Sequence, residues 1–410
     1  MAIRPKLLIA TWLHWASSAR LAAELTAAGA DVAVVCPASH PIRSVTGLLE
    51  QHRYGILTPR RSLMRAIDRS MPDLVIAGDD IALRHLRSLS SDARPEIAAL
   101  LERSFGPPES LDIVASRSRF SAAARAAGLD VPEGGEVTSG ADLEAWLRRF
   151  GAPAYLKIDG SFGGEGVTLL RDAADGPEAF AAMHRPPRLL DAALQAVTSR
   201  VFSKAFAWLG RTRSVVSVQA SVVGQPGNCC AFAWRGEVLG VVSVAVTRTL
   251  HPNGVATLVR PVDSPAMHDA AVRIARELKL SGFFGLDFIL EPSGRAWVLE
   301  LNGRPTPICH FALGAGRDPV AALVSRLSGA QTERRVAFPT DATVALFPHY
   351  LHRLDSVAGD LVDRPDGQPA LVRAFARHGT AWGGCKQAST RTVMAREPPE
   401  RSSGGLSPAR

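Results

Sequence analysis

The stretch Leu286-Asp287-Phe288-Ile289-Leu290, Glu291-Pro292-Ser293-Gly294, Arg295-Ala296-Trp297-Val298-Leu299-Glu300-Leu301-Asn302-Gly303-Arg304 reads as a β-hairpin. Taking residues 291–294 as the turn sets Leu290 opposite Arg295 and Asp287 opposite Val298. Asp287 then shares a face with Val298, Glu300 and Asn302, and Glu300 is its diagonal neighbour at roughly 7–8 Å. Phe288, Leu290, Leu299 and Leu301 are apolar and form the other face. Two carboxylates and a carboxamide on one side of a sheet present hard oxygens, which suit Mg²⁺ held jointly with substrate phosphates. Arg304 follows, a planar cation able to grip a carboxylate or a phosphoryl group. A polar, solvent-facing hairpin is the alternative.

A second constellation lies upstream, in Tyr155-Leu156-Lys157-Ile158-Asp159-Gly160-Ser161-Phe162-Gly163-Gly164-Glu165-Gly166. A strand carrying Lys157 runs into a loop of glycines and one serine, where successive backbone N–H groups can converge on phosphate oxygens. The lysine precedes the glycines, which excludes a Walker-type loop. The alternative is a glycine-rich hairpin with a lysine reaching to solvent.

Outward from these motifs, residues 214–223, 229–235, 237–247 and 256–262 read as a strand meander, and Met267 to Leu280 as a helix. Asp318 to Leu327 reads as a further helix, as do Arg119 to Ala127 and a segment through Leu143, Leu147 and Phe150. Residues 177–210 also look helical. At the N-terminus, Lys6 to Trp12, the helix Ser17 to Ala28 and Asp31 to Cys36 make a βαβ unit, loosely repeated around residues 73–86. No G-x-G-x-x-G follows the first strand, which argues against a dinucleotide site there. Residues 105–110 read as a linker, and Lys386 onward as a disordered tail. The expected division is 1–109, 110–330, 331–385 with no legible chemistry, and 386–410.

The 410 residues hold 47 basic and 39 acidic side chains, for a net +8. The arginines are scattered without runs or aromatic interleaving, so no nucleic-acid surface is expected. Cys36, Cys229, Cys230, Cys309 and Cys385 are odd in number and lack C-x-x-C pairing, which suggests a reducing cytoplasm and no structural zinc. The uncharged run Ser214 to Trp234 is broken by Gly224-Gln225-Pro226-Gly227, so no membrane span is expected.

Together the two constellations resemble the ATP-grasp superfamily over about residues 110–330. The resemblance implies an α/β protein whose ATP-grasp core, two α+β subdomains clamping ATP, follows a Rossmann-like pre-ATP-grasp domain. It places Lys157, Gly160, Ser161, Gly163, Gly164 and Gly166 on the triphosphate. Asp287, Glu300 and Asn302 would hold Mg²⁺, two ions being expected and Mn²⁺ an alternative. Arg117 stands at an early phosphate-binding lysine position. The hinge pattern reads Gln219-Ala220-Ser221-Val222-Val223-Gly224, which puts Gln219 and Val222 at adenine, with Asn228 a weak substitute for a ribose-binding acid. Arg304 would stabilise the transferring phosphoryl group, and Arg260, Arg248, Thr306 and His310 are further candidates. The activity implied is an ADP-forming ligation of a carboxylic acid to an amine or similar nucleophile through an acylphosphate. Carboxylase, phosphotransferase and non-catalytic nucleotide-binding readings stay open, as does oligomeric state.

Overall fold

The computed structural model describes residues 3–90, 94–159, 166–190, 193, 209, 213–250, 254–351 and 359–378. Gly160, Ser161, Gly163, Gly164, Cys385, most of the helix expected over 177–210 and the tail from Lys386 lie outside these residues.

Strands β1 (Lys6–Ala10), β2 (Asp31–Cys36), β3 (Glu50–Arg53) and β4 (Leu74–Ala77) form a parallel sheet in the order β3-β2-β1-β4. Val32 to Cys36 and Leu74 to Ala77 are buried without alternation, as a sheet covered by helices on both faces requires. The order reverses between β2 and β4 on either side of β1. The loops leaving the carboxyl ends of β1 and β4 therefore part to form a crevice. Asp79, fully buried, fixes both loops. Its carboxylate accepts the N–H of Trp12 (2.5 Å), Leu13 (2.8 Å) and Ala82 (2.8 Å) and the Thr11 hydroxyl (2.9 Å).

A four-stranded antiparallel sheet follows, β5 (Gly134–Val137), β6 (Ala154–Ile158), β7 (Val167–Leu170) and β8 (Val216–Ala220), in the order β5-β8-β6-β7. The helix Gly140–Phe150 backs it. Ser139 caps that helix by accepting Asp142 N–H at 3.0 Å, and Leu143 and Leu147 face the sheet.

The largest sheet has seven strands: β9 (Gln225–Trp234), β10 (Glu237–Thr249), β11 (Ala256–Pro261), β12 (Gly282–Leu290), β13 (Ala296–Asn302), β14 (Val344–Ala345) and β15 (Leu361–Val362). The order is β13-β12-β9-β10-β11-β14-β15. The helix Pro265–Glu277 buries Met267, Ala270, Ala271 and Ile274 against one face, at the three- and four-residue spacing that sequence periodicity predicts.

Within residues 331–385, read as short strands and helices, β14 and β15 complete the largest sheet. Two expectations need correction. Residues 105–110 are not a loose linker: a helix Pro108–Val114 begins there, and the Ser110 hydroxyl donates to the Leu278 carbonyl at 2.5 Å. The second concerns the hairpin. Leu290 pairs with Ala296, not Arg295, and the ladder is irregular between Phe288↔Val298 and Asp287↔Glu300, leaving Leu299 as the extra residue. Asp287 therefore stands directly opposite Glu300, while Val298 turns into the core with Phe288, Leu286 and Leu301.

Candidate functional site

One cavity of about 630 Å³ opens between the four-stranded antiparallel sheet, the seven-stranded sheet and the N-terminal domain. Lys157, Gln219, Val222, Asp287, Glu300, Asn302, Arg304 and Arg117 all line it, so residues from 117 to 304 in sequence converge on one space. Gly166 is the described end of the glycine loop, with φ +67°, a left-handed conformation that glycine adopts readily.

The acidic centre is a row of register partners. Asn228 on β9 faces Asp287 on β12, which faces Glu300 on β13. Asn228 Nδ2 donates to Asp287 Oδ1 at 2.7 Å, and Asn302 Nδ2 donates to Asp287 Oδ2 at 3.0 Å. Thr306 donates its hydroxyl to Asn228 Oδ1 at 2.8 Å. Gly285 makes this possible, because a Cβ there would lie 2.2 Å from Thr306 Cγ2. Burial, then the Glu300 charge, push the Asp287 carboxyl above its usual range against the two amide bonds.

This donor set fits a hard divalent cation. Two carboxylates opposite each other in a ladder repel unless positive charge lies between or beside them, and Asn302 adds an amide oxygen on the same face. Among the described residues, no group of three or more His, Cys, Asp or Glu gathers to hold a metal. Mg²⁺ is commonly held by one or two carboxylates together with substrate phosphates, a requirement Asp287 and Glu300 meet.

Basic groups surround the acids. Arg117 opens the helix Arg117–Ala126 and reaches across the cleft: Nη2 donates to Glu300 Oε1 at 3.0 Å, and Nη1 to the Ile158 carbonyl. Lys157 is 9% exposed, and its Nζ donates to Gln219 Oε1 at 2.6 Å. Burial lowers the Lys157 pKa, Glu300 and Asp287 opposing that shift. Gln219 thus presents its side-chain oxygen to the lysine, leaving backbone groups of the 220–222 hinge beside the cavity. Tyr155, Val167, Val222 and Ile289 supply apolar walls there.

Arg304 is held from three sides. Nε donates to Asp80 Oδ2 at 2.9 Å, Nη2 to Asn302 Oδ1 at 3.1 Å, and the guanidinium stacks over Trp15 at 4.4 Å. Trp15 and Asp80 follow β1 and β4, so the N-terminal crevice fixes this arginine of the hairpin.

Sequence reasoning missed Trp15 and Asp80, which lie 289 and 224 residues from Arg304 without a motif between them, and it assigned Asn228 elsewhere. A cation–π partner and a cross-domain ion pair leave no local signal. Other candidates fall outside the site. Arg248 and Arg260 are exposed on β10 and β11 and do not line the cavity. His310 is buried against Asp363, at 3.0 Å, instead of facing substrate. Burial drives the Cys309 thiol pKa well up, which removes it as a thiolate nucleophile. Cys36, Cys229, Cys230 and Cys309 are all free thiols. Among the described residues, no helix is long and apolar enough to cross a membrane.

No protein-family model and no curated protein matches the chain in sequence. Solved structures do match in shape. Biotin carboxylase from Campylobacter jejuni, in complex with an ATP analogue, aligns with a TM-score of 0.57 at 11% identity, covering 81% of this chain and 72% of that one. N5-carboxyaminoimidazole ribonucleotide synthetase from Thermus thermophilus aligns at 0.55 with 18% identity, covering 82% of each chain. An ADP complex of the same synthetase, PurK, aligns at 0.55 with 16% identity over 83% of this chain and 82% of that one. Both enzymes are built on ATP-grasp cores. With the topology and the cleft described above, these likenesses give the chain the ATP-grasp fold behind a Rossmann-like N-terminal domain.

Proposed function

We propose that the chain is an ATP- and Mg²⁺-dependent ligase that joins a carboxylic acid to an amine or similar nucleophile, releasing ADP and phosphate. The observation that carries this reading is the convergence of Asp287, Glu300, Asn302, Arg304 and Lys157 on one cavity.

In this reading adenine lies against Tyr155, Val167, Val222 and Ile289, with hinge backbone groups at its edge. Lys157, Arg117 and the 160–166 loop neutralise and orient the phosphates. Asp287, Glu300 and Asn302 would hold Mg²⁺, which would supply positive charge to offset that of the phosphates. Arg304 positions the acid. A carboxylate oxygen of the acid forms a bond to the γ-phosphorus as the bond to the β-bridging oxygen breaks, and ADP leaves. The nucleophile then attacks the acylphosphate carbonyl, loses a proton and displaces inorganic phosphate. Catalysis is therefore positioning and charge neutralisation, and the residues present are those such a step requires.

The structural neighbours favour a second reading, with bicarbonate as the acid. One of them, a 2-oxoglutarate carboxylase domain, is described in complex with MgADP and bicarbonate.

The test is a thermal unfolding scan with ATP, with and without Mg²⁺, on wild type and Glu300→Ala. A ligand at 100 times its dissociation constant stabilises the native state by about 2.7 kcal/mol. A Mg²⁺-dependent shift that weakens in Glu300→Ala is expected, followed by acid-dependent ADP release. No shift with folded protein overturns the assignment.

A further inference from the structure

The cleft continues past its carboxylates. Glu300, Asp287, Asn228 and Val244 are successive register partners on β13, β12, β9 and β10, and so share one face of the sheet. With strands about 4.8 Å apart, the row passes from anionic through amide to apolar within ~15 Å. Val246, Val259, Ile308, Leu346 and Phe347 line the same cavity and carry no charge or side-chain hydrogen-bonding group, while Thr249 and His349 line it as well. Val246 and Val259 are themselves register partners. Leu346 is fastened to β11 by its N–H on the Thr257 carbonyl at 2.9 Å, and Phe347 meets Phe375 edge-on at 4.9 Å. The residues after 331 thus build one wall of the compartment. The N-terminal side differs, lining the same cavity with Asp80, Arg84 and Arg87.

We propose that this compartment receives the substituent of the acid substrate, and that the acid is a monocarboxylate bearing an apolar alkyl or aryl group, its carboxylate at Arg304. The inference rests on the ligase reading and adds to it the class of acid. A second charge on the substituent would lose its water against Val246, Val259, Ile308, Leu346 and Phe347, whose side chains offer it no partner, a cost that apolar groups avoid. An apolar pocket discriminates by about 10- to 200-fold per methylene.

The test measures ADP and hydroxamate formation with hydroxylamine as a general trap for an acylphosphate, across acetate, butyrate, hexanoate, 3-phenylpropionate, succinate, adipate and bicarbonate. The expected result is that kcat/KM rises at least tenfold from acetate to hexanoate, and that hexanoate exceeds adipate at least a hundredfold. Val246→Phe should cut the hexanoate-to-acetate ratio at least tenfold, and Leu346→Ala should move the optimum to longer acids. The wild-type preference stands as a test even if a variant fails to fold. Turnover as fast with adipate, succinate or bicarbonate overturns the inference and leaves the ligase reading standing. No turnover with any acid, while hexanoate still raises the unfolding temperature of the MgADP-bound protein and adipate does not, overturns the ligase reading and keeps the compartment. Neither binding nor turnover overturns both. A chain-length preference among alkylamines that the acids lack overturns the assignment of the compartment to the acid.

Discussion

Asp287 and Glu300 are cross-strand neighbours, two carboxylates directly opposite each other in the β12–β13 ladder. Arg117 offsets one of them at 3.0 Å, and amide donors from Asn228 and Asn302 hold the other. The residual repulsion makes this pair a place where a cation stabilises the fold. Glu300→Gln is expected to cost the nucleotide-free protein little stability, since it removes a like charge and keeps an acceptor for Arg117. The same change should lower turnover at least about a hundredfold, the range seen when a charge-stabilising group is lost. Denaturant unfolding without ligand and steady-state ADP release check the two halves.

The raised Asp287 pKa gives a pH dependence to metal binding. Its folded-state value lies above the unfolded one, so in the metal-free protein its contribution to stability is present at low pH and lost as pH rises through the folded value. Mg²⁺ needs the ionised carboxylate, so protons compete with it. Calorimetric titration of Mg²⁺ with ATP over a falling pH series should show affinity dropping as Asp287 takes up its proton above the usual carboxylate pKa of about 3.9. Asp287→Asn should bind weakly throughout and lose most of that slope.

Arg304 depends on residues of another domain for its placement. Trp15→Ala and Asp80→Ala should each lower kcat about tenfold or more by loosening the guanidinium, since small misplacements of a positioning group are costly. Arg304→Lys should not rescue function, because a lysine cannot reproduce the fork shared by Asp80 and Asn302. Steady-state kinetics with nucleotide affinity measured in parallel separates this from loss of ATP binding.

Asp363 ties the end of the largest sheet to the N-terminal domain. Its carboxylate accepts from Arg20 at 2.8 Å and His310 at 3.0 Å, with all three side chains buried. Although burial opposes ionisation, Arg20 and His310 hold the carboxyl far below its usual pKa. Asp363→Ala would leave Arg20 buried with only Glu24 beside it, and should cost about 3–5 kcal/mol in urea unfolding.

His85 is pushed down to about 4 by burial and by Arg84, and its ring accepts or donates a bond with the Tyr54 hydroxyl at 3.0 Å. A histidine that stays neutral when folded costs stability once the unfolded chain takes up a proton. Stability should therefore fall as pH drops from about 6.5, the unfolded value, toward about 4. Burial lowers His310 as well, adding to the effect. The urea midpoint at about pH 7 and about pH 5 measures this, and His85→Gln should reduce the difference.

Much of this protein was legible residue by residue. Asp31 to Cys36 and Gly282 to Leu290 form strands over the expected residues, and the helix Pro265–Glu277 begins two residues before the expected start. The two strands are continuous apolar runs buried on both faces and the helix buries one stripe, so local pattern records their environment. The strands β3 and β5 went unread because Glu50–Arg53 and Gly134–Val137 supply too few apolar positions for a pattern. Asp287, Glu300, Asn302 and Arg304 stand out in sequence because their spacing along one hairpin carries their relation, and Lys157 because it stands near the end of a strand before a run of glycines.

By itself, then, the chain determined the hairpin, the lysine strand and the residue types that suit a phosphate and cation site. Tertiary structure alone decided that Leu299 bulges and brings Asp287 opposite Glu300, that Trp15 and Asp80 brace Arg304, and that residues after 331 wall an apolar compartment. The reason is physical: alternation and spacing are set within a few residues by backbone geometry, whereas a bulge, a stacked arginine and a shared cavity exist only when distant segments pack and exclude water.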